Sequence, residues 1–138
     1  MKKLILLLFI CPIVSFSQSF YSNSYKEFNF GIYSEKEIIV FPGASFLWGK
    51  TNYLQNNTLL DYQIGIALPT IITGKVGFGI GDQNYATIIG IRPFPTSAYV
   101  QFSFKEKYNI AFEYSPMSFS GGDPFSGRGF ILCYGYRF

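Results

Sequence analysis

The chain has 138 residues, enough for one domain, and carries eleven basic and eight acidic side chains with no histidine. Charged residues make up 14% and aromatics 20% of the chain, where soluble domains carry roughly 25% charged residues. That leaves little polar material to cover a water-facing surface and points to a lipid-facing one. The absence of a basic stripe argues against nucleic acid as a partner.

The first residues read as an address. Lys2 and Lys3 form a basic start, followed by an apolar run of 11 residues from Leu4 to Val14. This run is too short to span a bilayer, which takes about 20 residues. Ser15 and Ser17 then supply small residues ahead of a cut before Gln18. The expectation is a cleaved signal peptide over 1–17 and one domain over 18–138. Cys11 lies between Ile10 and Pro12, which does not suit a lipoprotein cut. The exported part then holds Cys133 alone and forms no internal disulfide.

Beyond the leader the pattern has a period of two. Segments of about ten residues alternate apolar and polar positions, separated by turn residues. Eight strands are expected, over 25–33, 37–49, 58–68, 71–81, 84–93, 97–105, 108–115 and 128–138. A tilted strand crosses a membrane in about 9–11 residues. In the third, Leu60, Tyr62, Ile64, Ile66 and Leu68 oppose Asp61, Gln63, Gly65 and Ala67. In the seventh, Tyr108, Ile110, Phe112 and Tyr114 oppose Asn109, Ala111, Glu113 and Ser115. In the last, Phe130, Leu132, Tyr134, Tyr136 and Phe138 share one face. The second strand resists, because Pro42 falls within it and a closed barrel has no free edge to excuse a missing N–H. Pro42–Gly43 marks either a bulge or a turn that splits the strand, and 49–57 is long for a turn.

One face of each segment is large and apolar, and the other is small or polar. A soluble sandwich would turn Lys, Glu, Thr or Asn to water on its polar face. Small residues suit the interior of an eight-stranded barrel, which is only wide enough for side chains. Lipid tolerates no open sheet edge, so the strands should close. The fold class expected is all-β, an up-and-down antiparallel transmembrane β-barrel of about eight strands. With both ends periplasmic, one rim collects Tyr25, Trp48, Tyr62, Tyr85, Phe104, Tyr108, Tyr136 and Phe138 as an aromatic girdle. The short turns at 81–84 and 105–108 fall on that rim, and the longest loop, 116–127, falls outside.

The leader, the strand count and the terminal Tyr134–x–Tyr136–x–Phe138 pattern resemble the small outer-membrane barrels of the OmpA/OmpX type. The resemblance covers the exported chain as architecture and only the last strand as motif. It implies the outer membrane of a diderm bacterium, with Tyr134, Tyr136 and Phe138 as a C-terminal signal for the barrel-insertion machinery. Barrels of this size that act on lipid A, the deacylases and palmitoyltransferases, set a His base beside a Ser. This chain has no His, so it is expected not to be an enzyme and to use no cofactor or metal.

Six charges fall on the expected interior face: Glu27, Asp61, Lys75, Arg92, Glu113 and Arg137. An ion-paired core is the preferred reading over a ligand or proton path, and Glu27 with Arg137 should meet where the first and last strands close. Gly77, Gly79 and Gly81 share a face and leave room for a bulky neighbour, Arg92 or Tyr99; with Gly74 they open no helix and form no phosphate loop. Asn56–Asn57–Thr58 reads as a turn. Phe119 and Phe125 in the loop, with Lys36, Arg92 and Arg128 near its rim, are contact candidates for a partner or for lipopolysaccharide. The expected role is a non-enzymatic structural or accessory barrel surrounded by outer-membrane lipid and lipopolysaccharide, as a subunit of a larger envelope complex. The alternative is a soluble exported barrel that binds an apolar ligand, as lipocalin-like folds do, with its aromatic face inside.

Overall fold

A computed structural model describes residues 21–35, 38–68, 71–94, 96–115 and 129–138. The leader expected over 1–17 lies outside them, as do Lys36, Phe119, Phe125 and Arg128. Eight strands run in chain order: β1 (Tyr21–Glu35), β2 (Ile38–Tyr53), β3 (Thr58–Leu68), β4 (Ile71–Gly81), β5 (Tyr85–Phe94), β6 (Ser97–Phe104), β7 (Tyr108–Ser115) and β8 (Gly129–Arg137). Each pairs antiparallel with its neighbour, and β1 pairs with β8 to close the barrel. The bounds of β3, β4 and β7 coincide with those read from the alternation, because turn residues or a reversal of polarity mark both ends.

β1 and β2 are longer than the sequence pattern indicates. β2 runs without a break through Pro42, so the segment is not split. The β1–β2 register shifts between Ile32 and Ser34, which face Pro42 and Ile39. One extra residue on β2 is therefore accommodated as a bulge beside the proline. Pairing of β2 with β3 begins only at Ala44, opposite Leu68. Pro42 thus lies where β2 outgrows its other described partner, a position that tolerates a missing N–H. At its far end β2 continues to Tyr53, so the connection to β3 is shorter than 49–57. It is a single turn of 3₁₀-helix, Gln55–Asn57, with Asn56 and Asn57 at φ 63° and 56°. Asparagine enters that left-handed region more readily than other non-glycine residues.

Alternation in the strands becomes inside and outside. In β3 burial switches residue by residue, with Asp61 and Gln63 enclosed while Ile64 remains 65% exposed. The outward face carries Phe28, Phe30, Ile66, Phe78, Ile89, Phe112, Phe130 and Leu132, all exposed. The inward face carries charged and amide side chains around a small apolar cluster of Leu59, Ala86, Ile88 and Tyr99. Of the three glycines expected to make room for a bulky neighbour, Gly77 alone faces Tyr99, while Gly79 and Gly81 lie against the β5 backbone at Thr87 and Tyr85. A Cβ on Gly77 would meet the Tyr99 hydroxyl, and a Cβ on Gly90 would sit 2.6 Å from the Tyr99 ring. Arg92 does not occupy that space.

Seven of the eight residues expected in the aromatic girdle point outward, at Trp48, Tyr62, Tyr85, Phe104, Tyr108, Tyr136 and Phe138. Tyr25 does not. It is buried inside the barrel, as its shared parity with Glu27 requires.

Two turns at this rim are built differently. In β4–β5 the Asp82 carboxylate accepts the backbone N–H groups of Asn84 at 2.8 Å and Tyr85 at 2.9 Å. Those two donors hold its carboxyl below the usual carboxylate range. In β6–β7 Lys105 and Glu106 both stand at φ 52°, and Lys107 N–H donates to Phe104 O at 3.0 Å. This is a two-residue primed turn made without glycine or asparagine, which costs backbone strain.

Gly77→Ala should lower stability by about 1–3 kcal/mol through overpacking against Tyr99 and Ile88. Adding Tyr99→Phe removes the clashing hydroxyl and should recover part of the loss, read as thermal midpoints in detergent. A depressed carboxyl contributes stability above its ordinary value and loses it as pH falls through the depressed one. The stability gap between the native chain and Asp82→Ala should therefore be full well above pH 3.8, the ordinary value, and shrink below it. Urea midpoints across that window would test this, and a gap independent of pH would contradict it.

Candidate functional site: the charged lumen

All six interior charges named from the sequence are buried: Glu27, Asp61, Lys75, Arg92, Glu113 and Arg137. The barrel sorts them into two groups. β1 and β8 are paired with Glu27 directly opposite Arg137, and Arg137 Nε donates to Glu27 Oε2 at 2.6 Å. The guanidinium also lies 3.6 Å from Asp61 Oδ2 and 3.9 Å from the centre of the Tyr25 ring. One cation thus serves two carboxylates and an aromatic face.

Neutral polar groups complete this first group. Asn29 Nδ2 donates to Glu27 Oε1 at 2.7 Å. Asp61 Oδ1 accepts the Tyr25 hydroxyl at 2.7 Å and the Thr51 hydroxyl at 2.6 Å. Gln63 Nε2 lies 2.9 Å from the Tyr25 oxygen, 3.1 Å from Asp61 and 3.3 Å from Glu27. A carboxylate taken out of water costs several kcal/mol unless paired and hydrogen-bonded. Both carboxylates here have that support.

The second group inverts the ratio. Glu113 Oε1 receives Lys75 Nζ at 2.7 Å and Arg92 Nη2 at 2.8 Å, while Ser97 Oγ lies 3.5 Å from Oε2. Lys75 also sits 5.2 Å from the centre of the Tyr99 ring. The first group carries two acids and one base, and the second carries two bases and one acid. The six charges cancel in sum, but the lumen keeps a negative region and a positive one.

The polar helpers, Tyr25, Asn29, Thr51, Gln63 and Ser97, were not singled out as site residues from the sequence. Strand parity could have found Tyr25 and Asn29, since each lies two residues from Glu27. Their partners across the lumen could not be found that way. Gln63 and Tyr25 are 38 positions apart, and they meet over Gly49 of β2, which lies opposite both in the strand register.

Among the described residues no group of three or more His, Cys, Asp or Glu side chains is placed to hold a metal ion. Cys133 is buried and unpaired. A cleft of about 610 Å³ opens at the rim between the Asn56–Asn57 turn and the ends of β4 to β6, lined partly by Tyr85, Phe102 and Phe104. None of the six charged residues lines it. Tyr134, Tyr136 and Phe138 of the terminal pattern all face outward. Compared with protein-family models, with curated proteins and with solved structures, the chain matches none.

The two groups predict an order of damage. Lys75→Met or Arg92→Met leaves Glu113 with one cation, whereas Glu113→Gln leaves both cations without a carboxylate. Glu113→Gln should cost about 3–5 kcal/mol, the range for a broken buried pair, and more than either single lysine or arginine change. Arg137→Leu strands Glu27 and Asp61 together and should weaken heat-resistant migration on gels. Equal effects from all four variants would contradict the pairing described.

Proposed function

We propose that the chain is a small, non-enzymatic outer-membrane β-barrel with a structural or accessory role in the envelope of a diderm bacterium. The observation that carries this reading is the direction of the two faces. Large aliphatic and aromatic side chains cover the outside, while the paired charges are inside. A bilayer rewards that arrangement and water penalises it. Closure supports the same reading, because every strand has two neighbours and no full-length edge is left bare.

The soluble, lipocalin-like alternative requires an apolar lumen for its ligand. Here the lumen contains three carboxylates and three cations, and the apolar residues point the other way. A non-enzymatic role is supported by the chemistry available. There is no histidine, and the buried Ser97 shares its nearest carboxylate with Lys75 and Arg92. A carboxylate already engaged by two cations is a poor general base.

In this reading the exposed stripe of β8 meets lipid and presents Tyr134, Tyr136 and Phe138 to the insertion machinery. The partners are outer-membrane lipid, lipopolysaccharide and a larger envelope protein assembly onto which the barrel docks. No metal or cofactor takes part.

The test is membrane fractionation of a producing cell combined with a gel run with and without boiling. Recovery in the outer-membrane fraction, with a band whose mobility changes on heating, is the expected result. Recovery as a soluble monomer without detergent would sink the proposal.

A further inference from the structure

We infer that the Phe138 rim carries a binding surface for anionic phospholipid headgroups, formed by Lys26, Lys50, Lys105 and Lys107. The inference rests on the membrane reading above. It names the lipid chemistry favoured along one arc of the barrel.

The four lysines come together through pairing of neighbouring strands. Lys107 O accepts the Arg137 N–H at 2.6 Å, next to Phe138 at the end of β8. Phe138 and Lys26 exchange two backbone hydrogen bonds of 2.9 Å each. On β1 Lys26 faces Trp48, and Ser24 faces Lys50 across the β1–β2 ladder. The arc from the β6–β7 turn through β8 and β1 to β2 therefore carries a lysine on all of these segments but β8. Lys26, Lys105 and Lys107 are exposed and Lys50 is half-buried. None makes an ion pair with a described residue.

Glu106 would be the natural neutraliser, lying between Lys105 and Lys107 in sequence. The strained turn removes it. Its carboxylate accepts Asn23 Nδ2 at 3.1 Å and the Tyr53 hydroxyl at 2.8 Å, on strands β1 and β2. Those contacts leave its two lysine neighbours free for an external anion. A single carboxylate near Phe138 would still leave the arc positive.

Beneath the lysines runs a continuous chain of rings. Tyr108 meets Tyr136 at 5.5 Å, Tyr136 meets Phe138 at 6.2 Å, Phe138 meets Phe46 at 6.0 Å and Phe46 meets Trp48 at 5.0 Å. Aromatic rings of this kind seat at the boundary between acyl chains and headgroups. Lysine stems reaching beyond them place ammonium groups at phosphate height. Next along the rim, Asn84 O accepts the Lys105 N–H at 2.7 Å, and from there the β4–β5 turn offers the exposed Asp82 and the β2–β3 turn offers Asn56 and Asn57 in place of lysines. The surface is thus one-sided.

Trp48 is the chain's single tryptophan and lies in the arc, so it reports on local lipid. The full chain would be reconstituted in vesicles mixing phosphatidylcholine and phosphatidylglycerol, with one or the other brominated. At low salt, quenching of Trp48 should show a preference of about threefold or more for phosphatidylglycerol, declining as salt rises. The variant Lys26→Gln/Lys50→Gln/Lys105→Gln/Lys107→Gln, with heat-modifiable migration retained, should show none. If it does not fold, Lys26→Gln/Lys50→Gln and Lys105→Gln/Lys107→Gln are measured separately, and each should lower the preference. Equal quenching by both lipids, or a preference that survives the substitutions, overturns the headgroup surface and leaves the membrane reading standing. Quenching by neither lipid overturns the membrane reading itself.

Discussion

Closing eight strands on themselves creates a lumen too narrow for water to fill freely and too wide to leave empty. Every inward side chain must fit its neighbours, and every inward charge must find a partner within reach. The Glu27–Arg137 pair lies on the seam where β1 meets β8, so the same contact neutralises two buried charges and joins the ends of the sheet. Around it, Tyr25, Asn29 and Gln63 donate to the carboxylate oxygens of Glu27 and Asp61, while Arg137 Nη2 and Gln63 Oε1 have no hydrogen-bond partner among the described residues. The rest of the interior follows the same requirement. Gly77 and Gly90 make the volume for Tyr99, and Glu113 draws Lys75 and Arg92 to one point.

Buried ion pairs are not a strong source of stability, since desolvation offsets most of the attraction. Their value here is better described as specificity of register. A one-residue slip would turn every interior charge outward and every outer aromatic inward. That error would separate the buried charges from their partners and crowd aromatics into the lumen, so the observed register is strongly favoured. An apolar lumen of the same volume would allow more than one register.

The unequal division of charge within the lumen leaves polar walls rather than an apolar container. What the outside offers to its surroundings is apolar along the strands and polar at the rims, and in the proposed setting these match acyl chains and headgroups. The Lys105–Glu106 turn shows how the two regions connect. Strain in its backbone is offset by contacts of Glu106 with Asn23 and Tyr53, and the result alters the charge seen from outside.

The amino-acid sequence determined the strands and their two faces, because a period of two is written residue by residue. Leu60 to Leu68 and Tyr108 to Tyr114 declare which side is apolar without any knowledge of neighbours. It also identified the six interior charges, since parity places them with Gly, Ala and Gln rather than with the aromatics. Ring chemistry assigns Tyr25 to the outer girdle, whereas its parity with Glu27 places it inside, where it is found. Tertiary structure alone decided how those charges divide between Arg137 and Glu113, how far β1 and β2 extend, and which way Glu106 turns. Each of these depends on distances across the closed sheet between residues remote in the chain, and local alternation carries no information about such distances.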